Sequence, residues 1–140
     1  MTAPFQTSRL VEFCDTDMAG IMHFASFFRY MESAEHELLR TWGYSIFDEH
    51  DGQTISFPRV AASCQYHAPA RSEDILEITV AVLNVGIKSI TYQFEFHCQG
   101  RRIATGEVVC ICCRIEHGQP PKSVPIPDEL AERLRAVLAE

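Results

Sequence analysis

Two carboxylates stand close together near the start of the chain, in Phe13-Cys14-Asp15-Thr16-Asp17-Met18-Ala19-Gly20, just ahead of a helical pattern. A helix start exposes unpaired backbone N–H groups and the positive end of its dipole, which can polarise a carbonyl and stabilise an oxyanion. A nearby carboxylate can attack that carbonyl or activate water against it. These are the ingredients of ester or thioester hydrolysis without serine, cysteine or metal. The competing role for Asp15 and Asp17 is capping of loop and helix, the commonest task of aspartate in such places. On local chemistry alone both roles stand open.

Three other chemistries fail on spacing. Asp15-x-Asp17-x-Ala19-Gly20 imitates the opening of a calcium-binding EF-hand, but the fifth position is Ala19 and the twelfth is Ser26, where oxygen ligands and a glutamate are required. His36-Glu37-Leu38-Leu39-Arg40 starts like a zinc-protease helix and ends in Arg40 instead of a second histidine. The six cysteines lack paired zinc-ligand spacing, and four of them fall in apolar strand-like stretches of a chain that shows no secretion signal, so free thiols and no metal are expected.

The elements that must hold the aspartates follow from periodicity. A short strand is expected at about Leu10 to Phe13, then a loop. From Phe24, apolar side chains at Phe27, Phe28, Met31, Ala34, Leu38 and Trp42 paint one helical stripe, and Gly43 supplies a left-handed stop. After a polar loop at Asp48 to Gln53 the period becomes two. Leu76, Ile78, Val80 and Val82 alternate with polar or small residues, as do Ile90, Tyr92, Phe94, Phe96 and Cys98. Gln99-Gly100 turns into a run from Ile103 to Ile115 whose unbroken apolar centre predicts a strand covered on both faces. Pro127, expected at a first helical position, opens a short C-terminal helix carrying Leu130, Leu134, Val137 and Leu138. The fold class is therefore α+β: one long helix packed in a curved antiparallel sheet of four strands after it, as a single domain over residues 1–140.

The 140 residues fit one core, and 46% hydrophobic against 22% charged favours a packed domain over disorder. The net charge of -7 argues against nucleic acid or an anionic membrane surface as partner. The opening residues Met1 to Ser8 lack a signal-peptide pattern and no apolar run reaches membrane-spanning length, so a cytoplasmic location is expected.

Glu12-Phe13-Cys14-Asp15-Thr16-Asp17-Met18-Ala19-Gly20-Ile21-Met22-His23-Phe24-Ala25-Ser26-Phe27-Phe28-Arg29-Tyr30-Met31-Glu32 resembles the opening motif of the 4-hydroxybenzoyl-CoA thioesterase family, and the likeness extends weakly to Val124-Pro125-Ile126-Pro127-Asp128-Glu129-Leu130. The resemblance implies a hotdog fold and hydrolysis of an acyl-CoA, with coenzyme A as part of the substrate and no separate cofactor. It implies that Asp17 is the nucleophile or general base and that the backbone N–H near Phe24 holds the thioester carbonyl. It also implies a homodimer with paired sites at its interface, often doubled to a homotetramer.

His23, at the same helix start, could donate a hydrogen bond to the thioester or its leaving group; the alternative is a half-exposed loop histidine. Asp15 and Glu32 read first as positioning residues. A CoA enzyme of this charge needs a local basic patch. Lys88 and Ser89, in the Gly86-Ile87-Lys88-Ser89 turn, are the first candidates, by a short match to the basic-Ser segment that meets CoA phosphates in the family. Arg101 and Arg102 are a second pair. Arg59 and His67 could face the site or a partner subunit. Phe27, Met31 and Phe57 could wall the acyl group across a subunit boundary, or be core. The alternatives are a hotdog hydratase or dehydratase, which would carry Asp and His together on the helix, and a non-catalytic acyl-CoA binding module.

Overall fold

The computed structural model describes residues 3–139. Its main sheet is antiparallel and has five strands: β1 (Phe5–Leu10), β4 (Arg59–Tyr66), β5 (Ile75–Val85), β6 (Ser89–Cys98) and β7 (Arg101–Ile111), in the order β1-β5-β6-β7-β4. Helix α1 (Ser26–Thr41) lies on one face. Two periodicities make that core. Leu76, Ile78, Val80 and Val82 of β5 and Ile90, Tyr92, Phe94 and Phe96 of β6 all point inward and are buried. They meet Phe27, Met31, Ala34 and Leu38, the apolar stripe of α1. The approach is tight at Gly106 of β7, where a Cβ would lie 2.1 Å from the Met31 methyl carbon. A residue without a side chain lets the helix settle on the sheet there.

The helix ends as its sequence requires. Gly43 has φ +84°, its N–H donates to the Arg40 carbonyl, and the Tyr44 N–H donates to the Leu39 carbonyl. That pair of bonds satisfies two terminal carbonyls in a Schellman cap.

Several expected boundaries are corrected. The first strand spans Phe5–Leu10, because Phe13–Asp15 closes into a 3-10 turn. Helix α1 starts at Ser26, two residues after Phe24. The main sheet has five strands, since β1 pairs with β5. The polar stretch read as a loop is a hairpin: Asp51 and Gly52, both at positive φ, connect β2 (Asp48–His50) to β3 (Gln53–Ser56). The Ile103 to Ile115 run is two strands. Cys112 breaks from the ladder, donating its N–H to the Lys88 carbonyl, and β8 (Cys113–Ile115) joins β3 in a small second sheet completed by β9 (Lys122–Ser123). Within the run Val108, Cys110, Cys112 and Cys113 are buried, whereas Val109 and Ile111 are only half-buried. The apolar continuity marks a strand changing sheets, not one covered on both faces. Pro127 sits one residue before α2 (Asp128–Ala136), whose Leu130 and Leu134 pack into the core. Beyond α2 the Ala139 N–H donates to the Val82 carbonyl. Among the described residues no helix is long and apolar enough to cross a membrane.

Candidate active site

The segment from Val11 to Met22 is stitched to the loop ahead of β5. The Val11 and Met22 N–H groups donate to the carbonyls of Asp74 and Ala70. Asp15, buried at the end of the 3-10 turn, organises this segment. Its carboxylate accepts the Tyr30 hydroxyl at 2.5 Å, an Arg29 N–H at 2.7 Å and the Glu12 N–H at 3.1 Å. Its carbonyl accepts the His23 N–H and the Ser26 hydroxyl, tying the loop to the start of α1. Burial alone would raise the Asp15 pKa; the bonds from Tyr30 and Glu12 and the Arg29 charge outweigh it and hold the group below its usual value. Glu12, Cys14 and Asp15 offer ligand atoms within 4.8 Å of one another. Asp15 already takes three donors there, one of them cationic, so the group does not suit a metal ion.

Asp17 occupies the tight turn that follows. Its N–H donates to the Ile21 carbonyl, its carbonyl accepts the Gly20 N–H, and Gly20 holds φ +79°. One carboxylate oxygen accepts the Ala19 N–H at 2.9 Å, and the other has no partner among the described residues. Asp17 lines a cleft of about 250 Å³ together with Met22, Phe24, Phe27, Tyr66 and Ala70. The Tyr66 hydroxyl donates to the Phe24 carbonyl at 2.9 Å, and its ring meets Phe27 edge-on. Burial and the neighbouring Cys64 push the Tyr66 hydroxyl up to about 12, so it is a donor at neutral pH. Among the described residues the Phe24 N–H has no acceptor, while the next two N–H groups, of Ala25 and Ser26, go to the His23 ring and carbonyl. The cleft is thus bordered by a half-tied carboxylate and an open backbone donor.

His23 is beside this cleft with its ring stacked on Phe24. Its Nδ1 accepts the Ala25 N–H at 3.1 Å, so the ring acts as a helix cap and only Nε2 is left to donate.

The basic candidates separate. Lys88 and Ser89 occupy the β5–β6 turn, where the Lys88 ammonium reaches the Ser123 hydroxyl at 3.4 Å. Asp17 is at the other end of β5, so about 30 Å of extended strand lies between them. One chain does not bring these residues together. Arg59, at the far end of β4 from Tyr66, is held inside the fold by Glu35 at 2.9 Å and by Glu32 at 3.7 Å. Arg101 is at the Asp17 end: its guanidinium donates to the carbonyl of Pro69, a residue of the cleft lining. His67 and Arg102 meet at the Thr105 hydroxyl nearby. A larger trough of about 650 Å³ is walled by Phe5, Leu38, Trp42, Val82 and Val137, and none of these basic candidates lines it.

Sequence reasoning missed Tyr66, Arg29 and Tyr30 as supports of the turn, and Glu35. Only Glu35 left a signal: it is an acid on the apolar stripe, four residues beyond Met31.

Comparison with known proteins decides the family. The profile of the thioesterase-like superfamily matches residues 11–134. The chain belongs to that superfamily. The 1,4-dihydroxy-2-naphthoyl-CoA hydrolase of Thermosynechococcus vestitus is 28% identical over 133 residues, 94% of this chain and 89% of that protein. Among solved structures, a gentisyl-coenzyme A thioesterase superposes with a TM-score of 0.78 at 29% identity, covering 90% of this chain and 98% of the other. A 1,4-dihydroxy-2-naphthoyl-CoA thioesterase from Synechocystis gives 0.82 at 21% identity, covering 95% and 96%. This thioesterase-superfamily chain has the hotdog fold, and its reaction class is thioester hydrolysis. The membership shown is that of the superfamily, the coarser part of the 4-hydroxybenzoyl-CoA resemblance.

Proposed function

We propose that the protein hydrolyses an aromatic acyl-CoA to the free acid and coenzyme A, with Asp17 as the reacting carboxylate. The observation that carries this reading is the shared cleft of Asp17 and Phe24, whose residues hold a free carboxylate oxygen and an open N–H just ahead of α1. With the thioester oxygen on the Phe24 N–H and the positive end of α1 behind it, charge developing on that oxygen is stabilised. Asp17 then attacks the carbonyl carbon, the C–S bond breaks, coenzyme A leaves as thiol with a proton from solvent, and water cleaves the acyl anhydride. As general base it would instead take a proton from the attacking water, with the same products. His23 Nε2 is the neighbouring donor for the thioester or the departing sulfur.

The aromatic cleft walls, Phe24, Phe27 and Tyr66, and the relatives named for naphthoyl and gentisyl thioesters support an aromatic acyl group. A second copy completes the site. One edge of β4 has no strand partner among the described residues, and Val60 and Tyr66 on that strand are exposed. Antiparallel pairing of two β4 strands about a two-fold axis would turn the Lys88 and Ser89 end of one copy toward the Asp17 end of the other, supplying cations for the CoA phosphates. This homodimer, doubled through its outer sheet faces, gives a homotetramer. Six free thiols suit a reducing, cytoplasmic setting.

Thiol release from benzoyl-CoA and short aliphatic acyl-CoA esters tests the reading. Asp17→Asn should lower turnover by roughly a hundredfold or more, as loss of an acid–base or nucleophilic group does, at unchanged fold and oligomeric state. Undiminished turnover in the variant would remove Asp17 from the chemistry, and a wild type inert on every ester would favour an acyl-CoA binding module.

A further inference from the structure

Strand β4 touches the α1 segment with both of its ends. At one end the Tyr66 hydroxyl donates to the Phe24 carbonyl, just ahead of the helix. At the other, Arg59 donates to Glu35 at 2.9 Å, in the middle of α1. Both partners in this second contact are unusual. Glu35 is an acid on the apolar stripe, 2% exposed, and its Oε1 has no hydrogen-bond partner among the described residues. Arg59 reaches it through an irregularity in β4: Arg59 is opposite Cys110 and Ala61 is opposite Val109, so Val60 is an extra residue. Counting back from Ser63 and Gln65, both exposed on the outer face, an unbroken strand would turn Arg59 outward. The extra residue leaves Val60 61% exposed and puts Arg59 on the side of the buried Cys110. The Tyr92 hydroxyl of β6 is also buried without a partner, and burial first and the Glu35 charge second push its pKa up, so three elements meet at this carboxylate. Replacing a buried ion pair by apolar residues is often neutral or stabilising, so stability alone gives no reason for this one.

We propose that Glu35 is a positioning residue for the reaction at the Asp17 cleft: through Arg59 it fixes the setting of α1 on β4, and with it the Phe24 peptide just ahead of the helix. The proposal rests on the thioesterase reading above and adds a remote residue to it. The apolar stripe by itself leaves the setting loose. Phe27, Met31, Ala34 and Leu38 recur at nearly one-turn intervals, and apolar contact is non-directional, so a slide toward the next turn, about 5.4 Å away, meets similar surfaces. A guanidinium–carboxylate bond is specific in geometry and is lost on such a slide. Phe24 and Phe27 wall the cleft from the helix side and Tyr66 walls it from β4, so a slide or roll of α1 against β4 changes its width. Glu35 is nine residues along α1 from Ser26, about 13 Å, too far to touch a thioester held at Phe24 of the same chain. It acts through the helix.

The discriminating experiment uses Glu35→Leu/Arg59→Leu in the full-length protein, which removes both charges and leaves neither orphaned, so the melting temperature should be no lower than that of wild type. Turnover of benzoyl-CoA should nevertheless fall about tenfold, with KM changed by less than about twofold, because a displaced donor costs the transition state more than the bound ester. The Ser26 and Phe28 amides, which donate to the His23 and Ala25 carbonyls, should exchange with solvent about tenfold faster in that variant. Glu35→Gln, whose amide oxygen still accepts from Arg59, should keep turnover within about threefold of wild type. Arg59→Lys keeps the charge and loses the planar fork; it should show the same split between kcat and KM, and it carries the test should the leucine pair not fold. Wild-type kcat in the folded variants, a lowered kcat without faster exchange at the helix start, or Glu35→Gln as impaired as the leucine pair would overturn the proposal. The two readings fail separately: a wild type inert on benzoyl-CoA sinks the hydrolase, while exchange at the helix start still decides whether Glu35 sets the helix.

Discussion

The Tyr66 hydroxyl and the Phe24 carbonyl oxygen are joined at 2.9 Å, linking the last residue of β4 to the peptide beside the open N–H. Since that carbonyl belongs to the same residue whose N–H is open, the bond restrains the peptide next to the donor. Tyr66→Phe keeps the ring against Phe27 and removes only the bond. Because Tyr66 is itself partly exposed, stability should fall by no more than about 1 kcal/mol. Turnover should fall several-fold while KM changes little, since a slackened donor weakens the transition state more than the bound ester. Equal loss in kcat and gain in KM, or no change in either, would show that Tyr66 does not hold the donor.

Asp15 gives the protein a defined acid sensitivity. Its folded pKa is below its unfolded one, so it contributes stability that is fully present above pH 4 and lost as the pH falls through the folded value. Asp15→Asn keeps the shape but removes the charge that Arg29 and Tyr30 satisfy. It should cost about 1.5 to 3 kcal/mol at pH 7, the range for hydrogen bonds to a charged group. The difference from wild type should shrink as both are titrated below pH 4. Denaturant melts at pH 7 and pH 3 check this, and a gap that stays constant between the two pH values would contradict it.

What could be read from sequence divides along a physical line. The alternation in Leu76 to Val82 and Ile90 to Cys98, and the stripe from Phe27 to Leu38, each name a buried face on their own, because one element suffices to define it. The Asp15 to Gly20 turn was legible for the same reason: its residue types specify a loop locally. The change of sheets at Cys112 was not, because apolar continuity is identical whether a strand is covered twice or handed from one sheet to another. Asp51-Gly52 did carry a hairpin signal, hidden by the polarity of Asp48 to His50. The distribution of Arg59, Lys88 and Asp17 over separate ends of the sheet depends on register between distant strands, which no single segment encodes.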